Sequence, residues 1–291
     1  MIYRIVHKTA YRYSEPASLS QNELFLHPRQ TDTQRVVQSR LAIEPAPEYQ
    51  HQRRDYFGNT VHVFMVQQPH QELAMTATST VETTVPVTPA PESTAPWETV
   101  VQRLAAHDQP AERDAYQFIF TSPLIAVNPG TLAYVQPSFP PGIPVLAGAL
   151  DLIRRIFTEF TYDKSATTVD TAVDQVLASR KGVCQDFAHL AISCLRGLGL
   201  AARYVSGYLE TKPPPGKPRL VGADASHAWI SLFVPDVGWI DLDPTNNLIP
   251  GENHITVAWG RDYSDVTPVK GVVMGGGRHT LSVMVDVKTQ P

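Results

Sequence analysis

The chain has 291 residues, of which 43% are hydrophobic and 18% are charged, the ordinary balance of a globular protein. Its formal net charge at pH 7 is −4, and no run of five or six like charges occurs, so the composition gives no support for a nucleic-acid partner. A chain of this length can form one large or two modest domains and bury a sizeable core without disulfide or metal support.

No segment of the sequence is typical of export or of membrane insertion. The first residues, "MIYRIVHKTAYRYSEP", lack the uninterrupted apolar core of a signal peptide, and no run of eighteen apolar residues occurs. The two cysteines, Cys184 and Cys194, are ten residues apart, which is about 15 Å along a helix and too far for a disulfide. We therefore expect free thiols and a cytoplasmic protein without membrane contact.

Residues 1–90 are predicted to form an antiparallel β-sandwich. Strand patterns, either alternating or rich in Val and Thr, occur in "YRIVHKTAYRY", "VVQSRLAIEPAP", "NTVHVFMVQ" and "TATSTVETTVPV". The Gly-Asn pair in "DYFGNTVHV" indicates a hairpin turn. The prolines of "PVTPAPESTAP" can continue neither a ladder nor a helix, so this segment is predicted to be a linker.

Residues 97–291 are predicted to form an α+β domain with a C-terminal strand extension. Helices are predicted in "WETVVQRLAAH", "ERDAYQFIF", "IPVLAGALDLIRRIFTEF", "TAVDQVLAS" and residues 180–200. Strands are predicted in "ARYVSGYLE", "HAWISLFVP", "GWIDLDPT" and "RHTLSVMVDVKTQ". Helices followed by a run of antiparallel strands are typical of the α+β class.

Cys184 is the first candidate for chemistry, because it follows Gly182 near the start of an apolar helix. A helix N-terminus carries partial positive charge and unpaired N–H groups, which favour a nucleophilic thiolate and can stabilise an oxyanion. The alternative is a small buried hydrophobic residue. Cys194, in the middle of the same helix, fits that alternative.

A cysteine nucleophile needs a base and an orienting acceptor, and "DASHAWISLF" and "GWIDLDPTNN" offer them. His227 lies on a predicted strand, with Trp229 on the same face as a shield from water. Asp241 and Asp243 lie on the next strand, and their shared parity leaves the choice between them open. Taken singly, each residue could be an ordinary strand histidine or a turn-capping aspartate.

Together these segments resemble bacterial transglutaminase-like proteins. The similarity is carried by "GVCQDFAHL", "GLAARYVSGYL", "DASHAW" and "GWIDLDPTNN", and by "YRIVHKTAYRYSEPASLSQNELFLHPR", "DYFGN" and "VAWGRDYSDVTPVKGV" in the flanking regions. The resemblance implies a transglutaminase-like or papain-like cysteine-protease core after the N-terminal sandwich. It also implies a triad of Cys184 as nucleophile, His227 as base and Asp243, the aspartate before proline, as the orienting group.

The remaining site residues are weaker candidates. Gln185 and Trp229 are considered for oxyanion or substrate contact, and Asp224 either contacts an amine substrate or caps a turn. No zinc spacing and no EF-hand loop occurs, so we expect no cofactor and no metal.

The resemblance implies thioester chemistry on peptide or protein amides. Hydrolysis by a peptidase or amidase is favoured, with protein-glutamine amine transfer or a non-catalytic binding module as the alternatives. The sequence does not indicate an oligomeric state.

Overall fold

The computed structural model describes residues 1–210 and 226–290, and it confirms the predicted α+β class. The strands are β1 (Ile2–Leu24), β2 (Gln34–Glu44), β3 (Tyr49–Arg54), β4 (Thr60–Val66), β5 (His70–Thr83), β6 (Thr161–Tyr162), β7 (Lys181–Gly182), β8 (Ala202–Leu209), β9 (Ser226–Val234), β10 (Gly238–Leu242), β11 (His254–Gly260), β12 (Val269–Gly275) and β13 (His279–Gln290). The helices are α1 (Trp97–Ala106), α2 (Pro110–Tyr116), α3 (Pro129–Val135), α4 (Val145–Glu159), α5 (Val173–Ser179) and α6 (Cys184–Gly197).

The N-terminal region is built around the long strand β1. Strands β5 and β13 flank its first half, while β4 and β12 flank its second half. The register shifts between Arg12 and Ala17, and both halves contribute to one core that includes Phe64, Leu73 and Met75. The predicted sandwich is therefore formed by a single seven-stranded antiparallel sheet whose two halves share a core.

The C-terminal strands return to the N-terminal sheet. Gln290 of β13 lies opposite Ile2, and Val269 of β12 lies opposite Leu24. The strand extension that the sequence assigns to the second domain thus completes the first. The division into residues 1–90 and 97–291 stays a prediction, since the two regions share this sheet.

A second, four-stranded antiparallel sheet has the order β10-β9-β8-β11 and positions the candidate site. Helix α6 packs against β8 and β9, and α3, α4 and α5 pack around α6. Because α6 is enclosed in this way, every residue from Asp186 to Arg196 is buried. None of the helices in the described ranges has the length and apolar character needed to cross a lipid bilayer.

Two buried amide side chains join the N-terminal sheet to β11. Gln34 donates to the carbonyl of Thr256 at 2.7 Å and accepts from its N–H at 2.8 Å. Asn59 does the same for Trp259, at 2.8 and 3.0 Å. These amides satisfy backbone groups of β11 that a further strand would otherwise bind.

Candidate active site

Cys184 is the first residue of α6, as the sequence predicts, and its side chain is half-buried. The start of the helix is fixed by Asp186, whose Oδ2 accepts from the Val183 N–H at 2.7 Å and from the Thr167 hydroxyl at 2.6 Å. Burial raises the pKa of Asp186, against the lowering effect of these two hydrogen bonds. The thiol therefore stands on a well-anchored helix N-terminus, where backbone N–H groups have no intrahelical acceptor.

The glycine before this helix has a steric reason. A Cβ added at Gly182 would lie 2.7 Å from Oδ2 and 2.8 Å from the Cβ of Asp186. Both contacts are shorter than real Cβ atoms show, so any other residue would displace the capping carboxylate. The sequence "GVCQD" is thus explained by the packing that places the cysteine.

His227 and Asp243 meet across adjacent antiparallel strands. Pairing of Leu242 with Ile230 brings Asp243, just beyond the end of β10, beside the start of β9. His227 Nε2 lies 2.7 Å from Asp243 Oδ2. Asp241 instead accepts the indole N–H of Trp229 at 2.9 Å. The choice that strand parity left open is therefore resolved in favour of Asp243 as the partner of His227.

Several donors hold the carboxylate of Asp243, which is fully buried. The backbone N–H groups of Thr245 and Asn246 bind Oδ1 at 2.9 and 3.2 Å. The Asn246 amide and His254 Nε2 bind Oδ2 at 2.7 and 3.1 Å. Although burial alone would raise the pKa of Asp243, the hydrogen bonds from His227, His254 and Asn246 hold it well below its usual range. Asp243 is therefore an ionised, rigidly held acceptor.

The imidazole of His227 connects this carboxylate to the thiol. Burial lowers its pKa, but the hydrogen bond with Asp243 and then the interaction with Cys184 outweigh that effect and raise the pKa to about 10. Because Nε2 is bound to Asp243, Nδ1 is the ring nitrogen left for proton exchange with Cys184. The structure thus brings together the three side chains of the predicted triad.

Two of the weaker candidates have other partners. The Gln185 amide donates to the carbonyl of Val169 at 2.9 Å, and the Trp229 indole is fully buried with its N–H on Asp241. Neither side-chain N–H is free for an oxyanion, which leaves the backbone N–H of Cys184 as the candidate donor. Asp224 lies outside the described residues.

Two residues that hold the site were missed from the sequence, His254 and Asn246. Asn246 follows the aspartate-proline turn, where its backbone and amide N–H groups both reach Asp243. His254 begins β11, a strand that the sequence patterns did not predict. The "DPTNN" turn is a signal that could have identified Asn246, whereas no local signal identifies His254.

The other buried titratable groups of α6 have structural surroundings. His189 accepts the backbone N–H of Tyr263 at 3.2 Å, and burial lowers its pKa to about 4. Cys194 is fully buried, donates to the carbonyl of Thr131 at 3.5 Å, and has a pKa raised by burial. Both cysteines are free.

One cluster within the described residues has the composition of a metal site. His227, Asp243 and His254 each offer a ligand atom, and these atoms lie within 4.8 Å of one another. Direct hydrogen bonds from both imidazoles to Asp243 Oδ2 already account for this closeness. The arrangement is therefore explained without a cation.

Two family models match the chain. Residues 3–82 match the bacterial transglutaminase-like N-terminal region, and residues 142–244 match the transglutaminase-like superfamily. An uncharacterized protein of Mycobacterium tuberculosis (strain ATCC 25618 / H37Rv) is 42% identical over 299 residues, 98% of this chain and 92% of that protein. A protein-glutamine gamma-glutamyltransferase of Pseudomonas aeruginosa is 34% identical over 92 residues, 31% of this chain and 14% of that protein.

A solved structure has a similar fold along the whole chain. The crystal structure described as that of a "putative cysteine protease" from Cytophaga hutchinsonii superposes with a TM-score of 0.75 at 20% identity. The alignment covers 100% of this chain and 92% of the other. At this identity the likeness concerns the architecture alone.

Proposed function

Since this chain belongs to the transglutaminase-like superfamily, we propose that it is a cysteine-nucleophile acyl-transfer enzyme acting on amide bonds of peptides or proteins. The observation that carries the proposal is the connected series of Cys184, His227 and Asp243. The thiol is half-buried at a helix start, and the imidazole beside it is held at 2.7 Å by a buried carboxylate. A binding module on the same fold would have no use for this alignment.

Acylation would begin with attack of the Cys184 sulfur on the amide carbonyl. The imidazolium of His227 supplies the positive charge that favours a thiolate beside it. Helix N-terminal N–H groups, the one at Cys184 included, would stabilise the negative oxygen of the tetrahedral intermediate. When this intermediate collapses, the carbon–nitrogen bond breaks and His227 Nδ1 gives its proton to the leaving amine.

Deacylation would reverse the direction of proton transfer. Neutral His227 removes a proton from the incoming nucleophile, which attacks the thioester carbonyl and releases the Cys184 sulfur. Asp243 stays ionised throughout and keeps the imidazole oriented through Nε2. Each cycle thus returns sulfur and imidazole to their starting protonation states.

Hydrolysis is the outcome that we propose as the main reaction. Because the Cys184 side chain is only half-buried, water can reach a thioester formed on it, and water is the most abundant nucleophile. The second candidate is transfer to an amine. It is favoured by the similarity to the Pseudomonas aeruginosa relative, which is named a protein-glutamine gamma-glutamyltransferase and matches 31% of this chain.

Thiol labelling tests whether Cys184, His227 and Asp243 act together as a proton relay. We expect iodoacetamide at mildly acidic pH to alkylate Cys184 rapidly in the native protein, and His227→Ala to slow this reaction at least tenfold. Buried Cys194 serves as the unreactive internal control. If Cys184 is alkylated no faster than an ordinary thiol, the enzyme proposal is wrong and the binding module is favoured.

Product analysis then distinguishes the two reactions. Glutamine-containing peptides are incubated with the native protein and a primary amine, and intact masses are measured. Cleaved or deamidated peptides support hydrolysis, whereas peptides joined to the amine support transfer. The Cys184→Ala variant is the matched control, and products that persist in it come from another source.

A further inference from the structure

A cavity of about 600 Å³ lies between the N-terminal sheet and the second sheet. Its walls include threonines 31, 33, 83 and 84 from the N-terminal side and Arg203, Trp239, Asp241 and Trp259 from the second sheet. Neither Cys184 nor His227 lines it, so this cavity is separate from the thiol. Its volume lies within the usual range for small-molecule sites.

Arg203 is the unexplained group in this cavity. It is only 8% exposed, and its side chain forms no hydrogen bond or ion pair with any residue in the ranges 1–210 and 226–290, although the charge of Asp241 attracts it. Its Nε is buried without a partner. Buried charges in proteins are normally paired, because an unpaired one forfeits the free energy of hydration.

Two indole rings hold the Arg203 guanidinium in place. Its central carbon lies 4.2 Å from the ring centroid of Trp239 and 3.7 Å from that of Trp259. Stacking occupies the flat face of a guanidinium. Its in-plane N–H groups stay available for a planar acceptor that can form two parallel hydrogen bonds. A carboxylate is a planar group that matches this fork.

A carboxylate alone would also meet the negative charge of Asp241. The two residues share a face of the sheet, because Arg203 pairs with Ser231 and Ser231 pairs with Asp241. Two strand spacings separate them, about 10 Å between backbones. An amino group on the same ligand could therefore face Asp241 while the carboxylate binds Arg203.

We propose that this cavity binds a free amino acid or short peptide, with its carboxylate on Arg203 and its amino group toward Asp241. The ligand would also lie beside His254, which lines the cavity and binds Asp243. The cavity is separate from Cys184 and His227, but His254 connects it to Asp243. Binding in this cavity would not depend on the reaction proposed for Cys184.

Calorimetric titration with alanyl-alanine tests the proposal. The full chain with Cys184→Ala is used in every arm, so that the probe is not consumed. We expect one equivalent to bind, and Arg203→Gln to weaken binding at least tenfold, as for loss of a charge-assisted pair. Arg12→Gln is the matched control, because Arg12 is an exposed arginine paired with Glu72, and its affinity should be unchanged.

Chemical variants of the probe give an answer that does not depend on how Arg203→Gln folds. The C-terminal amide and the N-acetylated form of alanyl-alanine should each bind at least tenfold more weakly to the unaltered cavity. The proposal is overturned if the C-terminal amide binds as well as the acid, if N-acetylation has no effect, or if inorganic phosphate binds in preference. Absence of alanyl-alanine binding at millimolar concentration also overturns it.

Discussion

Replacing His254 by Ala tests whether this residue orients the relay or only fills space. Its side chain is 2% exposed, and its Nε2 lies 3.1 Å from Asp243 Oδ2. The same oxygen lies 2.7 Å from His227 Nε2. The substitution removes one donor from a buried carboxylate but leaves the His227 contact in place. We therefore expect a weakened relay rather than an abolished one.

The expected loss of stability follows from the kind of hydrogen bond that is removed. A hydrogen bond to a charged group contributes about 1.5–3 kcal/mol, and removal of the buried ring adds a cavity cost. We expect the free energy of unfolding to fall by about 2–4 kcal/mol. Groups that orient the histidine ligands of metal sites change activity by roughly 10–100-fold. By analogy, we expect Cys184 alkylation to slow by about tenfold, the lower end of that range.

The assay combines urea unfolding with the second-order rate of Cys184 alkylation by iodoacetamide. His254→Gln, which keeps an N–H near the position of Nε2, should recover most of the alkylation rate. His70→Ala is the matched control, because His70 is a buried histidine that binds Ser20 in the N-terminal sheet. It should lose stability without slowing alkylation. A native alkylation rate in His254→Ala would refute the orienting role.

Three further outcomes are expected. Gly182→Ala should lower the free energy of unfolding by about 1–2 kcal/mol in urea titrations and slow Cys184 alkylation, because the new Cβ displaces the helix cap. Gly251→Ala is the control and should do neither, because a Cβ there meets only one atom, at 3.8 Å. His227 has a pKa raised to about 10, so its contribution of a few kcal/mol is present below about pH 6.5 and is lost as pH rises toward 10. Unfolding titrations across that window should show this loss in the native protein and not in His227→Ala. Cys194→Ala should leave the number of alkylated sites at one by intact mass, since that thiol is fully buried, and a native count of two would contradict this.

The sequence was sufficient wherever the signal is local. The helix predicted in "IPVLAGALDLIRRIFTEF" is α4, which begins at Val145, directly after Pro144. The helix predicted over residues 180–200 is α6, which begins at Cys184, after the short strand β7. Both boundaries are set by residues within one helical turn. Pro144 excludes an earlier start of α4, and Asp186 accepts the N–H of Val183, just before α6.

Pairing between distant segments could not be predicted in the same way. Strand β12 is short and contains Gly271, and its partner β1 lies at the other end of the chain. Strand β11 pairs with β8 across a long intervening segment, and the sequence patterns predicted neither β11 nor β12. The role of His254 was hidden for the same reason, because its contact with Asp243 exists only once β11 has joined β8.

The amide pairs that join Gln34 and Asn59 to β11 have a consequence for how the protein can be divided. Cutting the chain at the proline-rich linker would strip these amides from the strand that carries His254, and it would leave β12 and β13 without the strand they pair with. In such a fragment, the unpaired edges of β12 and β13 could pair with other copies of the chain. The carboxylate of Asp243 would also be held less firmly, because His254 lies on β11. We therefore expect a fragment that lacks the N-terminal sheet to lose both its solubility and the order of the site around Asp243.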